Sequence, residues 1–586
     1  MTTPSTQPKP NWPKWARELA LLWNARGHSL FILHGNIFDL YPLGEGRGYG
    51  SLKAILANRI FPNRRMMMFY DIADGLTFAS QEMQKEFLEW LDVYYDTCSA
   101  QTRARFGGEP PKEFRELMPI LRQFINQTRE EPPKNGKQGI SLLIDYPEKI
   151  VPNTTDAGSS SEERLAEVAL LKFASTNRGK DVGIFLVAES ILDLSDALGR
   201  SPYVAQIRID LPDLDERTAF LNDSLNTPAA SVSGTEALPA PEIARRTAGL
   251  TLGRIQNLLS QCAESNLPIS GVAIAQGKKK LIEEYCQGLI TFKEPSPKKK
   301  LANVANHTAA KQKLGEIAWL IANGKNEVLE RGVLVPGRIG VGKTYLIDCF
   351  ASECGLPVVE LGNFRSKWVG DTEKQLSKVL ITIRALGPVV VTVDEADAVF
   401  GGGREGGSED GGVSSRVFAA LAAHIGDSEL RGREIWIAMT SRPDLLAIDM
   451  KRQGRFGLCI PLFPTQSPEE VLSLFETVAN TKGIALEEAG KAKIQSLLGA
   501  KPLTGSDADA ILTRAQERAV LAQRDSIPED FAVAVENFID ALDPQLLAIQ
   551  ELAGVLACSD KRYLPLQYRN ADRQVLRDTF EALKQK

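Results

Sequence analysis

The chain predicts an α/β fold built on a buried parallel sheet, and two segments carry that prediction. The apolar run Val333-Leu-Val335 leads into Gly337-Arg-Ile-Gly-Val-Gly-Lys343-Thr344 and then into the helix-like Tyr345-Leu-Ile-Asp-Cys-Phe350. Further on, Val389-Val-Val-Thr-Val393 ends in Asp394-Glu395. Five consecutive β-branched residues suit a central strand covered on both faces.

The first segment has the form G-x-x-x-x-G-K-[ST] between a strand and a helix, the context that a phosphate-binding loop requires. Glycines let backbone N–H groups curl around phosphates, and the helix N-terminus adds the positive end of its dipole. The loop residues Gly337, Arg338, Ile339, Gly340, Val341, Gly342, Lys343, Thr344 and Tyr345 are therefore the expected ATP-binding set. Lys343 would reach the β- and γ-phosphates, and the Thr344 hydroxyl would be one ligand of Mg²⁺. A glycine-rich turn without a ligand is the plain alternative. In the second segment Asp394 would hold the Mg²⁺ shell, and Glu395 would orient or deprotonate the attacking water. Taken alone, an Asp-Glu pair at a strand end would more often be a solvated turn.

Four further segments give the chain a resemblance to the classical AAA ATPases over roughly residues 310–520. Ser366-Lys-Trp368-Val369-Gly370 is similar to that family's first pore loop. Gly411-Gly-Val-Ser-Ser-Arg416 is similar to the start of the helix after its second pore loop. Trp436-Ile-Ala-Met-Thr440-Ser441-Arg442-Pro443-Asp444 resembles the sensor-1 strand and turn. Lys451-Arg452-Gln-Gly454-Arg455-Phe456 resembles the family's Arg-x-Gly-Arg-Phe signature.

The resemblance implies an AAA+ module, an αβα sandwich with an α-helical lid, that hydrolyses ATP with Mg²⁺ and assembles as a homo-oligomeric ring, a hexamer in the family. Arg452 and Arg455 would complete the charge compensation at a neighbouring subunit's ATP, as arginine fingers do. Ser441 would sit near the γ-phosphate. Lys367, Trp368 and Val369 would line a pore and grip a protein client by contact area. Two surface arginines, and a Trp packed on a neighbouring helix, are the plain alternatives. The chain departs from the family at Ser441, where Asn is usual, and at Ala447 and Gly457, where Asp is usual. Thr504-Gly-Ser-Asp-Ala-Asp509 resembles the lid's second-sensor region.

The N-terminal half shows a second, weaker set of the same landmarks. Leu142-Leu-Ile144-Asp145-Tyr146 reads as the equivalent strand end without its Glu. Asp145 to Asp394, Pro212 to Pro464 and Thr251 to Thr504 are 249, 252 and 253 residues apart, a near-constant offset that argues for duplication. Gly35 to Gly337 is 302 apart, so the first copy would carry about 50 extra residues, placed in the polar stretch 98–139. Its glycine-rich segment Gly44–Ser51 lacks Gly-Lys-Ser, so no hydrolysis is expected there. An unrelated α/β domain aligned by chance is the alternative.

The expected organisation is an N-terminal helix at 1–27, a degenerate AAA-like module at 28–225 and its lid at 226–294. A linker at 295–310, the active module at 311–465, its lid at 466–525 and a helical tail at 526–586 follow. With 69 basic and 74 acidic residues, net charge −5, nothing in the composition draws the chain to nucleic acid. Seven scattered cysteines and four histidines form no disulfide or zinc pattern, and there is no apolar run long enough to span a membrane or signal peptide. A cytoplasmic location is expected. The function expected is a ring-forming ATPase that remodels, unfolds or disassembles proteins through a central pore. A slow nucleotide-dependent assembly scaffold and a nucleic-acid motor remain the alternatives.

Overall fold

The structure, a computed structural model, describes residues 12–44, 46–98, 107–128, 131, 133–134, 136–153, 160–225, 238–264, 271–296, 298–362, 372–401, 413–539 and 543–585. The expected pore residues Lys367, Trp368 and Val369, and the glycine-rich run 402–412, lie outside them. The chain divides into two units, Met1–Ile274 and Ala275–Lys586.

The strands of the first unit are β1 (Leu30–Gly35), β2 (Tyr41–Pro42), β3 (Tyr49–Gly50), β4 (Met66–Asp71), β5 (Gly75–Phe78), β6 (Ile140–Asp145), β7 (Val182–Ala188) and β8 (Val204–Ile209). Six of them form one sheet in the order β5-β4-β6-β7-β1-β8. All pairings are parallel except the β4–β5 hairpin. Successive side chains alternate between faces, so Leu30 and Ile32 join one core cluster while Phe31 and Leu33 join the other. The helix Lys14–Asn24 closes the second face, with Trp15, Trp23 and the preceding Trp12 buried. A Cβ at Gly183 would collide with the Trp23 ring, so that glycine admits the indole against β7.

One expectation for this unit changes. Residues 98–139 are not simply a polar excursion, because Phe114–Thr128 is an amphipathic helix that buries Phe114, Leu117, Leu121 and Phe124 in the core. After β1, β2 and β3 pair antiparallel as a small ribbon, Tyr41 opposite Gly50.

The second unit contains β9 (Ile290–Lys293), β10 (Gly332–Pro336), β11 (Val358–Leu361), β12 (Val389–Val393), β13 (Glu434–Thr440) and β14 (Leu458–Cys459). Their order is β14-β10-β13-β12-β11-β9, parallel except for β9. The five parallel strands match the first unit one for one, β8 with β14, β1 with β10, β7 with β13, β6 with β12 and β4 with β11. β10, β12 and β13 are buried along their whole length, which explains their predominantly apolar sequences.

Two boundaries drawn from composition shift. Ile290–Lys293, placed with the first lid, is the edge strand of the second sheet. Within the expected linker, Lys299 pairs with Asp348 of the helix Lys343–Cys354 at 2.7 Å and the Ser296 N–H donates to Ser352 Oγ at 3.1 Å, while Lys298 and Lys300 are exposed. The helix Pro528–Glu536, placed with the tail, buries Phe531, Ala534 and Val535 in the lid core beside Phe475 and Ile511. Short-range composition carried no sign of these long-range partners.

Candidate nucleotide site

β10 delivers the chain into the glycine loop at its carboxyl end, and β13 and β12 lie next to it in order. The carboxyl ends of adjacent parallel strands are where open α/β sheets bind ligands. Gly337–Thr344, Ser441 and Asp394-Glu395 all fall at those ends. Thr344 Oγ1 donates to Asp394 Oδ2 at 3.2 Å, closing the gap between the two motifs. Lys343 Nζ donates to the carbonyl oxygens of Gly337 and Arg338 at 2.9 and 3.0 Å. Burial pushes the Lys343 ammonium down from its ordinary value, with Asp394 and Asp397 opposing the shift.

Loop conformation explains the glycines at two positions. Gly340 has φ +80°, and a Cβ there would meet Ser506 Oγ at 2.8 Å and Thr504 Oγ1 at 3.0 Å. Gly342 has φ +91° and leads directly into the helix Lys343–Cys354. The lid reaches the loop at the same point, the Ser506 N–H donating to Gly340 O at 3.2 Å. Thr504 and Asp507 form a reciprocal cap on the lid helix Gly505–Leu521.

Glu395 is exposed and left-handed, φ +47°, at the start of the short helix Ala396–Phe400. That backbone costs about 1 kcal/mol or more for a non-glycine residue, and it turns the carboxylate out of the strand line. Asp394 Oδ1 accepts the Glu395 N–H at 2.9 Å. Thr440 Oγ1 donates to Asp397, tying the end of β13 to the same corner. Ser441 follows directly, and Arg442 forms a two-pronged pair with Asp444 at 2.8 and 2.9 Å. Thr344 and Asp394 offer hard oxygen donors, one hydroxyl and one carboxylate, which suits Mg²⁺ completed by phosphate and water oxygens. Among the described residues no cluster of three or more His, Cys, Asp or Glu could hold another metal, and the cysteines are free thiols.

Arg452 and Arg455 follow the helix Ile448–Lys451. Arg452 is exposed, 3.5 Å from Asp449 Oδ1, and Arg455 donates to Asp449 O at 3.1 Å. A Cβ at Gly457, where Asp is the family's habit, would meet Gln453 Oε1 at 2.6 Å and Gln453 Cα at 3.0 Å.

The structure adds residues that local sequence did not single out. His307, with φ +47°, brings Nε2 to 3.3 Å from Val341 O, and the neighbouring Asn306 donates to Glu470 O in the lid at 3.0 Å. Burial pushes the His307 imidazole down to about 4, so it is the neutral ring that donates to the loop. The segment 306–307 thus touches both loop and lid. No local pattern marks it, since each partner is remote in sequence.

The first unit has the same corner filled by its own side chains. Tyr146 follows Asp145 in the same left-handed conformation, φ +51°, that Glu395 has after Asp394. Lys53, on the short helix Leu52–Ile55, reaches Asp145 Oδ2 at 2.5 Å. Burial raises the Asp145 carboxyl while Lys53 pulls it down. A lysine at the helix start was not foreseen, because it lies outside the G-x-x-x-x-G-K spacing. Asp39, 5% exposed, accepts from Asn36 at 2.8 Å, from Leu252 N at 3.1 Å and from Gly253 N at 2.9 Å. A carboxylate of the chain itself therefore occupies the N-terminus of the helix Leu252–Glu264, the position to which an anion is otherwise drawn.

Comparison with known proteins follows the same division. Residues 4–210 match the AAA+ chaperone N-terminal Rossmann-like domain, and residues 215–287 the AAA+ chaperone second helical domain. Residues 333–462 match the ATPase family associated with various cellular activities. Relatives include Protein SAV of Sulfolobus acidocaldarius, 23% identical over 79% of this chain and 60% of that protein. The peroxisomal ATPase PEX6 of Rattus norvegicus is 27% identical over 58% of this chain and 40% of its own length. A cell division cycle protein 48 homolog of Archaeoglobus fulgidus is 24% identical over 70% and 57%. The chain spans less than two thirds of the length of each. Since the first model ends with β8, the AAA model runs from β10 to just past β14, and both stretches share one strand order, the chain belongs to the AAA+ P-loop ATPase family.

Proposed function

We propose that this protein is an ATP-hydrolysing protein-remodelling machine that works as a ring, with turnover confined to the second module. The observation that carries the reading is the contact between Thr344 and Asp394 beside the exposed Glu395, which unites loop and strand end in one site. Lys343 exchanges its two loop carbonyls for phosphate oxygens, and the N–H groups of the loop and helix start surround them. Thr344 and Asp394 would hold Mg²⁺, which when bound offsets phosphate charge. Glu395 takes or orients the proton of the attacking water. Thr440 and Asp397 hold the end of β13, so that Ser441 stands at the site's edge.

Arg452 is exposed and Arg455 half-buried on a turn of their own, which suits donation to the ATP of a neighbouring copy in a homo-oligomer, a hexamer by family resemblance. Lys367, Trp368 and Val369 would pull a protein segment; this part rests on sequence alone. The Lys53–Asp145 pair and the Asp39 cap favour a first module that stabilises the ring or receives the client without turning over ATP. Among the described residues no helix is long and apolar enough to cross a membrane.

ATPase assays with mass photometry test this on wild type, Glu395→Gln and Arg455→Ala. ATP-driven assembly in wild type, a ring trapped by Glu395→Gln, and loss of turnover by at least about a hundredfold in both variants are expected. A wild type that stays monomeric and hydrolyses nothing would refute the motor reading.

A further inference from the structure

The helix Pro544–Ala557 buries Ile549, Leu552, Ala553 and Val555, yet among them lie Gln550 at 2% and Glu551 at 9% exposure. Polar groups so buried are costly unless partnered. Their partners are in the glycine loop. Gln550 Oε1 accepts the Ile339 N–H at 3.2 Å, across 211 residues of sequence. Glu551 Oε2 pairs with Arg338 Nη2 at 2.5 Å, the two side chains only 10% and 15% exposed. The other oxygen, Oε1, accepts the Tyr568 hydroxyl at 2.8 Å, so both carboxylate oxygens are engaged. Ser559 fastens the same segment to β14 through the N–H and carbonyl of Cys459, at 2.9 and 3.2 Å.

These contacts divide the loop. Arg338 and Ile339 are held by the C-terminal segment and Gly340 by Ser506 of the lid, while Gly342 to Thr344 carry the helix-start N–H groups. A glycine-rich loop loses much conformational entropy when it settles around phosphate. Holding its first half in place removes part of that cost before ATP arrives.

We propose that Gln550 and Glu551 are positioning residues for the nucleotide loop, and that docking of the C-terminal segment is thereby coupled to ATP affinity. The proposal rests on the ATP-site reading above. Coupling is reciprocal, so ATP tightens docking of the 544–585 segment by the same factor with which that segment tightens ATP. A partner that pulled this segment away would lower ATP affinity without touching the catalytic carboxylates.

The test uses the full chain with Gln550→Ala, Glu551→Gln and Arg338→Met, and the charge swap Arg338→Glu with Glu551→Arg. Amide exchange of the 337–345 peptide is read without nucleotide, and a fluorescent ATP analogue gives Kd. Each single variant is expected to speed exchange at Ile339 about tenfold and to raise Kd about tenfold, equivalent to about 1.4 kcal/mol. For Gln550→Ala and Glu551→Gln, KM rises in parallel and kcat at saturating ATP changes less than about threefold, and the swap restores most of the affinity lost on breaking the Arg338–Glu551 pair. Unchanged exchange and Kd with a lowered Tm would overturn the proposal, leaving a merely structural contact. Should Glu551→Gln fail to fold, Gln550→Ala carries the same readouts. If wild type binds no analogue, the ATP-site reading and the claimed coupling fall together; faster exchange in Gln550→Ala would then support only the holding of the loop.

Discussion

His307 makes protein stability depend on pH in a direction and window that the structure specifies. Its imidazole, ordinarily near 6.5, is pushed down to about 4 by burial and by Lys311, while the contact with Val341 O opposes the shift. Between those values the unfolded chain binds more protons than the folded one, so stability rises with pH across the window. It is lost as pH falls from about 6.5 toward about 4. Working the linkage from these two values gives a loss of about 2 kcal/mol at about pH 5 relative to about pH 8. The perturbation is His307→Gln, whose amide can still donate to Val341 O but does not titrate. Because the chain has only four histidines, ¹³C-labelled histidine with this variant for assignment isolates one resonance. That resonance is expected to hold its neutral shift down to about pH 5, and the stability difference between wild type and variant should slope across the same range. A midpoint near 6.5 together with a flat difference would refute the reasoning.

Asp39→Ala removes the acceptor for Leu252 N, Gly253 N and Asn36, so about 2–4 kcal/mol of first-unit stability should be lost, with faster exchange at those two amides. A loss below about 0.5 kcal/mol would show that water replaces the cap without penalty. Gly457→Asp should lower stability by about 1–2 kcal/mol through its clash with Gln453, and Gln453→Ala in the same chain should recover much of that; denaturant unfolding of the two variants decides it.

The nucleotide motifs of the second module were legible because their chemistry is local. A phosphate loop needs consecutive N–H groups at a helix start, and the end of β12 needs only its own Asp394-Glu395, so a few adjacent residues specify each. The strands were legible for a similar reason: β10 and β12 are buried on both faces, and their apolar runs record that burial directly. Duplication also showed in sequence, as landmarks with a near-constant offset, and the shared strand order explains why that offset persists. What sequence could not display was every contact joining residues far apart. Lys53 with Asp145, Asp39 with the helix at Leu252, His307 with Val341, and Gln550 and Glu551 with the nucleotide loop have no spacing rule, because chain topology brings them together. The first module's strand end looked merely degenerate for want of a motif, whereas its tertiary structure sets an ion pair there, Lys53 with Asp145, and a capping carboxylate, Asp39, at the helix Leu252–Glu264. Local chemistry thus marked the loop expected to take phosphate, while only packing decided which distant groups hold that loop in shape.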